Sequence, residues 1–345
     1  MADRDPNIRR STPPLGTCDG RIGVFRALHL GDMLCAVPAL RALRALCPRA
    51  RITVIGLPGI EAFARRFSAY IDDCLVFPGH PQLPETETPR ARYEAFRAAF
   101  PGDFAWLVQL HGDGRVTNAL VREWPARHYA GFVAGDGEWT ANTLVYPREG
   151  HEIDRLLALM AALGAHGSDD LEFPLGASDE ADLKGHADLC ALVKHPYVIV
   201  HAGARDARRR LPGHRFAKAV AWLGARIPVV LTGTRAEEAD AAILAGIPGV
   251  VNAIGRTTLG ALGVLIRGAR FVITHDTGPS HLCAALATPS LVVVVGSDPA
   301  RWAPKARARH RVLDARCGLA DDALLRGVRD LWRATEEGLW QAAAP

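Results

Sequence analysis

The stretch Phe271–Pro289, FVITHDTGPSHLCAALATP, constrains the fold more than any other part of the chain. Phe271–Thr274 is short, apolar and β-branched, the pattern of a strand buried on both faces. Asp276-Thr277-Gly278-Pro279 breaks that strand, and Pro279 suits the first turn of a helix, where its missing N–H costs little. Leu282, Ala285 and Leu286 supply a helical apolar face, and Leu291–Val295 is a second buried strand. Strand, tight polar turn, helix and strand in that order are the unit of a parallel sheet. The turn also gathers free N–H groups at a helix N-terminus, where a phosphate binds. Asp and Thr are equally good helix caps, so the turn alone does not choose between ligand and structure.

The same alternation runs through the whole chain. At 345 residues the chain exceeds one typical core, and two domains are expected. Residues 1–20, polar and proline-bearing, read as a disordered tail and not as a signal peptide. Residues 21–173 form a first Rossmann-like domain, with strands at Arg21–Arg26, Arg51–Gly56, Asp73–Phe77, Phe104–Leu110 and Arg127–Phe132. A linker is expected over 174–196. A second doubly wound domain, 197–318, carries strands at Tyr197–His201, Ile227–Thr232, Val250–Asn252, Phe271–Thr274 and Leu291–Val295. A closing helix within 319–345 is expected to pack back on the first domain. Two such domains suggest a ligand cleft between them, with ligands at the carboxyl ends of strands.

Composition narrows the function classes. A net charge of +4 gives no strong nucleic-acid signature. The cysteines at 18, 35, 47, 74, 190, 283 and 317 form no C-x-x-C and no Cys/His cluster, which disfavours a disulfide framework and a zinc site. Reduced thiols and a cytoplasmic location fit better. The longest mostly apolar segment, Leu156–Ala165, is too short to span a bilayer. There is no G-x-G-x-x-G after the first strand, no P-loop, no G-x-S-x-G elbow and no defensible metal-binding carboxylate pair.

Unusually polar loops follow the strands. In Arg26-Ala-Leu-His-Leu-Gly-Asp32, Gly31 permits close backbone approach, and Asp32 is either a helix cap or a general base facing the cleft. A helix N-terminus would keep Asp32 ionised, as a base requires. His201–Arg215 holds five arginines, among them Arg209 and Arg210, whose forks match a diphosphate. Gly203 lies in the same loop. Thr232-Gly233 and Glu237 follow the next strand. That carboxylate suits ribose hydroxyls, although a first-turn Glu on a helix explains it equally well. Asp276, Thr277, Gly278 and His281 complete the set, with His281 either a ligand contact or a satisfied structural histidine.

Together these loops resemble glycosyltransferase family 9, the ADP-heptose:lipopolysaccharide heptosyltransferases. The resemblance rests on Arg26, Leu30-Gly31-Asp32 and Pro38-Ala39-Leu40, then His201-Ala-Gly203-Ala204, Arg209-Arg210-Leu211-Pro212 and Arg215-Phe216. Asp276-Thr277-Gly278-Pro279-Ser280-His281-Leu282-Cys283-Ala284 matches the most specific family segment. Gly255-Arg256-Thr257, Leu262 and Asp298-Pro299-x-x-Trp302-x-Pro304 also match. The match spans residues 21–305.

The resemblance implies a GT-B fold, two doubly wound parallel-sheet domains facing across a cleft. It implies inverting transfer of a heptose from ADP-heptose to a lipopolysaccharide core acceptor, without a metal or other cofactor. Asp32 would be the general base. Gly31, His201, Gly203, Arg209, Arg210, Thr232, Gly233, Glu237, Asp276, Thr277, Gly278 and His281 would hold the donor. The implied partners are a nucleotide sugar and a lipid-linked saccharide at the cytoplasmic face of the inner membrane, reached by peripheral contact, with no nucleic acid. Leu211 departs from the family's usual Trp, Gly296-Ser297 from its commoner Gly-Pro, and the Pro78–Arg92 loop matches no family pattern. The iron-binding cysteine cluster of protein-heptosylating relatives is not visible. The competing expectations are the same fold with another nucleotide sugar or acceptor, and a catalytically silent nucleotide-sugar-binding protein.

Overall fold

The computed structural model describes residues 15–135, 140 and 142–336. In chain order the first half carries β1 (Arg21–Phe25), α1 (Leu30–Cys35), α2 (Val37–Leu46), β2 (Arg51–Gly56), α3 (Ile60–Arg66), β3 (Asp73–Val76), α4 (Arg90–Ala98), β4 (Phe104–Gln109), α5 (Thr117–Val121), β5 (Ala126–Val133), β6 (Thr143–Val145) and α6 (Glu152–Ala162). The second half carries α7 (Ala177–Lys184), α8 (Ala187–Leu192), β7 (Val198–His201), α9 (His214–Gly224), β8 (Val229–Leu231), α10 (Glu238–Ala245), β9 (Val250–Asn252), α11 (Leu259–Gly268), β10 (Val272–His275), α12 (Gly278–Ala285), β11 (Ser290–Val294), α13 (Pro299–Trp302), β12 (His310–Asp314) and α14 (Ala323–Glu336).

Two six-stranded sheets result, ordered β3-β2-β1-β4-β5-β6 and β12-β11-β10-β7-β8-β9. Every strand pair is parallel. The α/β expectation therefore holds. Strands buried on both faces explain the unbroken apolar runs read from the sequence; β10 and β11 are buried at every position.

The chain divides into two compact units. One draws on Met1–His29, Pro38–Arg148 and Ile153–Asp169, the other on Leu30–Val37, Glu149–Glu152 and Asp170–Pro345. Pro38 explains why the helix after β1 is broken. Helix α1 stops at Cys35 and α2 restarts at Val37, so the proline stands in a first turn that needs no donor from it.

The first unit is built around aromatic rings. Trp124 lies 5.1 Å from Phe25 and 4.9 Å from Phe100, ring centre to ring centre. Helix α4 adds Phe96, 5.6 Å from Trp124, and buried Tyr93. In the second unit Phe216, Leu223, Phe271, Ile273, Leu291 and Val293 pack together with Leu324, Val328 and Leu331 of α14.

Three expectations need correction. Residues 15–20, expected in the tail, belong to the fold: Leu15 is buried and its carbonyl accepts the Cys47 thiol at 3.2 Å, while residues 1–14 lie outside the described residues. The 174–196 stretch is no bare linker. Its helices α7 and α8 are tied to the second unit by Arg256–Asp188 at 2.6 Å and Thr258–Asp182 at 2.9 Å. The closing helix α14, expected against the first domain, packs inside the second unit on α9, β11 and β12, because its Leu324, Val328 and Leu331 stripe is a core-sized apolar face.

Candidate functional site

In the second sheet the strand order reverses between β7 and β10. Loops leaving the carboxyl ends of two strands part there, which makes room for a ligand. The loop after β10 is the Asp276–Gly278 turn. Thr277 takes an extended backbone, φ −145° and ψ −174°, and α12 begins at Gly278 with Pro279 in its first turn. The N–H groups of a first turn have no carbonyl partner within the helix. Thr277 and Gly278 are half-buried, whereas Asp276, Ser280 and His281 are buried. The turn is thus partly open at Thr277 and Gly278 and closed around Asp276, Ser280 and His281.

Asp276, 2% exposed, is held by an all-polar ring. Ser297 Oγ donates to its Oδ2, and Ser280 Oγ reaches Oδ1 at 3.5 Å. The Arg209 guanidinium donates to the Asp276 carbonyl and lies 3.5 Å from the carboxylate. Ser297 stands where the family pattern favours proline, and its hydroxyl bonds the buried acid directly. Arg209 is 39% exposed, so its fork remains open on one side.

The five arginines of the loop after β7 do not act alike. Arg208 is spent on Asp206, which it holds down at about 2. Arg215 turns to Asp321, 2.9 Å away. Arg210 donates to the Ala204 and Arg205 carbonyls and stiffens the loop. Only Arg209, of these four, reaches the Asp276 turn by a contact shown here. The sequence cluster is therefore a looser signal than its count suggests.

His275, which sequence reasoning passed over, pins the two loops together. Its Nε2 accepts the Leu211 N–H at 2.9 Å and its Nδ1 donates to the Gly203 carbonyl at 3.3 Å. Burial first, then the neighbouring His201, Arg209 and Arg210, push its pKa down to about 4, against the Gly203 hydrogen bond. The ring is neutral at pH 7, as a donor–acceptor clamp requires. A signal existed: the histidine closes a buried strand immediately before the polar turn.

On the β8 side, His201 Nδ1 and Thr232 Oγ1 lie 3.1 Å apart, both buried. Burial lowers the His201 pKa, with the Glu237 carboxylate opposing it. Glu237 Oε2 accepts the Thr234 N–H at 2.7 Å and its hydroxyl at 2.8 Å, a capping box. The same carboxylate presses on Gly203, where a Cβ would stand 2.3 Å from Oε1. Gly233 is also near, 3.4 Å from Oε2 by the same measure. Capping is thus one role that Glu237 fills, and it uses a single oxygen.

Gly31 and Asp32 belong to the Leu30–Val37 segment of this unit. A Cβ on Gly31 would stand 2.7 Å from Cδ2 of His281, so only glycine lets α1 lie this close to α12. Asp32, half-buried in the first turn of α1, is close enough to His281 to act electrostatically on its ring. Every sequence-nominated site residue therefore lies in the second unit. Asp32, Gly31, His281, Asp276 and Arg209 form one connected group, and His201, Gly203, Thr232, Gly233 and Glu237 another, with His275 tying Gly203 to the arginine loop.

Residues 113–319, more than half of the chain, match the family model described as glycosyltransferase family 9 (heptosyltransferase). The chain belongs to glycosyltransferase family 9. The matched residues include the arginine loop and the Asp276 turn, whereas Gly31 and Asp32 precede them. The chain is 31% identical over 157 residues to lipopolysaccharide heptosyltransferase 1 of Salmonella typhimurium, which covers 44% of this chain and 47% of that one. The chain spans about half the length of the curated relatives it matches. A family 9 structure from Veillonella parvula superposes with a TM-score of 0.74 at 18% identity, over 90% of this chain and 96% of that one. The E. coli heptosyltransferase WaaC, solved with ADP, gives 0.64 at 19% identity, over 92% and 99%. These likenesses establish the GT-B fold of the heptosyltransferase structures.

Among the described residues no group of three or more His, Cys, Asp or Glu side chains is placed to hold a metal. Among them, too, no helix is long and apolar enough to cross a membrane.

Proposed function

We propose that this family 9 member is an inverting glycosyltransferase that moves a heptose from ADP-heptose to a lipopolysaccharide core acceptor. The observation that carries the reading is the meeting of the Asp276–Gly278 turn, Arg209 and the Gly31–Asp32 segment where the second sheet reverses its strand order. The curated relative acting on lipopolysaccharide and the WaaC structure with ADP support the donor and acceptor chosen.

In this reading the second unit binds donor and the first takes the acceptor. Glu237 receives ribose hydroxyls through the oxygen its cap leaves over. Thr232 and Gly233 line the nucleoside, and His201 orients Thr232. The diphosphate lies on the Thr277–Gly278 backbone with Arg209 and Arg210 beside it. Asp32 takes the proton of the acceptor hydroxyl as that oxygen bonds to the anomeric carbon. The anomeric carbon–diphosphate bond breaks on the opposite face, its electron pair leaves with the ADP, and configuration inverts. Fixed N–H dipoles and a guanidinium stabilise charge that grows only as the bond breaks. Peripheral contact with the cytoplasmic face of the inner membrane follows from a lipid-linked acceptor; the protein should then collect on anionic vesicles at low salt and leave them at high salt.

The test is transfer from ADP-heptose to a heptose-free lipopolysaccharide core. Asp32→Asn keeps the shape and removes the base. It should slow transfer by about 10²–10⁴-fold with donor binding retained. Undiminished transfer by Asp32→Asn, or faster turnover of a uridine or guanosine diphosphate sugar, would overturn the assignment.

A further inference from the structure

Two elements, α1 and α13, meet the ring of His281 on α12. Nδ1 lies 3.6 Å from the thiol sulfur of Cys35, and both residues are buried. The other edge faces the first turn of α1, the same helix that carries Cys35, where a Cβ on Gly31 would come within 2.7 Å of Cδ2 and 3.2 Å of Nε2. Trp302 approaches edge-on, 6.4 Å between ring centres. Burial lowers the pKa of the ring, against Asp276 and Asp32 and with Arg209, so His281 carries one proton.

Where that proton sits decides what Nε2 offers. A thiol is a weak donor and its sulfur a weak acceptor, but a ring nitrogen lone pair is a good acceptor. An S–H···Nδ1 contact is therefore better than an Nδ1–H···S contact.

We infer that Cys35 is a positioning residue that holds His281 in its Nε2–H tautomer, so that Nε2 donates a hydrogen bond to the diphosphate of the bound nucleotide sugar. The inference rests on the donor-site reading above. It gives His281 a fixed, neutral donor whose bond strengthens as the leaving diphosphate gains charge. It also gives Cys35, 246 residues away in sequence, a role that no sequence motif assigns.

The tautomer is read on the full chain, labelled with ¹⁵N-histidine and free of nucleotide, by long-range ¹H–¹⁵N correlation. The His281 pattern should show a protonated Nε2 and a bare Nδ1. Cys35→Ala should move both nitrogens toward the averaged values of a mixed tautomer, and Cys35→Ser should keep the wild-type pattern. In transfer assays Cys35→Ala should lower kcat by about tenfold with little change in donor KM, and Cys35→Ser should recover most of it. A protonated Nδ1 in the wild type, or nitrogen shifts that ignore Cys35→Ala, would overturn the inference. ADP added to the same sample separates the two readings. An unmoved Nε2 resonance removes the diphosphate contact and counts against the donor site, whereas the tautomer result is obtained without any nucleotide.

Discussion

The Leu211 N–H donates to Nε2 of His275 across 2.9 Å, so the last residue of β10 anchors the foot of the arginine loop. The clamp works only while that nitrogen is unprotonated, and the pKa near 4 keeps it so.

The pH dependence follows from that clamp and from a second buried histidine. His310 bonds Ser290 Oγ at 2.9 Å, and burial, aided by Arg309 and Arg307, takes it down to about 4 as well. Both folded values lie below the ordinary 6.5 of the unfolded chain, so the unfolded state takes up protons first as pH falls. Stability is intact above about pH 6.5 and falls as pH drops toward 4, by roughly 3 kcal/mol per histidine. Urea unfolding followed across this range should show the slope, and His310→Gln should reduce it. A flat profile between pH 7 and 4 would contradict the two assignments.

Glu237 and Gly203 form a second coupled pair. Gly203→Ala drives a methyl into the Glu237 carboxylate, so the cap and the proposed ribose contact should fail together. Isothermal titration with ADP should show about tenfold or greater weakening for Gly203→Ala and for Glu237→Ala. Thr234→Ala loses the hydroxyl bond to Glu237 alone and should cost stability more than nucleotide affinity.

The neighbouring arginines Arg208 and Arg209 should separate cleanly. Arg209→Ala removes the open guanidinium beside the Asp276 turn and should lower kcat/KM for transfer by about 10²-fold. Arg208→Ala only releases exposed Asp206 and should change it by about twofold or less. Equal effects in a steady-state assay would mean that the loop acts as a diffuse positive surface.

Gly31→Ala tests the close approach of α1 to α12. The added methyl meets the His281 ring, so the helices must part. A loss of roughly 1–3 kcal/mol in thermal or chemical unfolding is expected. Unchanged stability would show that α1 is not held against α12 in solution.

Strands buried on both faces announce themselves, and the Phe271–Pro289 segment was legible down to the start of its helix. Edge strand β12 was not, because Arg311 and Asp314 interrupt its apolar residues. Helix α4 was hidden behind a proline-rich approach, although Tyr93, Phe96 and Phe100 carry helical spacing into the aromatic core. The polar faces of α7 and α8 read as linker because their partners, Arg256 and Thr258, lie far along the chain. In the site, glycines and arginines stood out by composition, whereas His275, Ser297 and Cys35 act through contacts that only the folded chain reveals.

Every donor role depends on a nucleoside diphosphate site at the strand reversal of the second unit. Calorimetric titration of the wild type with ADP, UDP and GDP, repeated on Arg209→Ala, tests it most directly. ADP should bind best, and the arginine change should weaken it by about tenfold or more. Preference for UDP or GDP would contradict the donor assignment. No binding of any of the three at millimolar concentration would contradict the site itself.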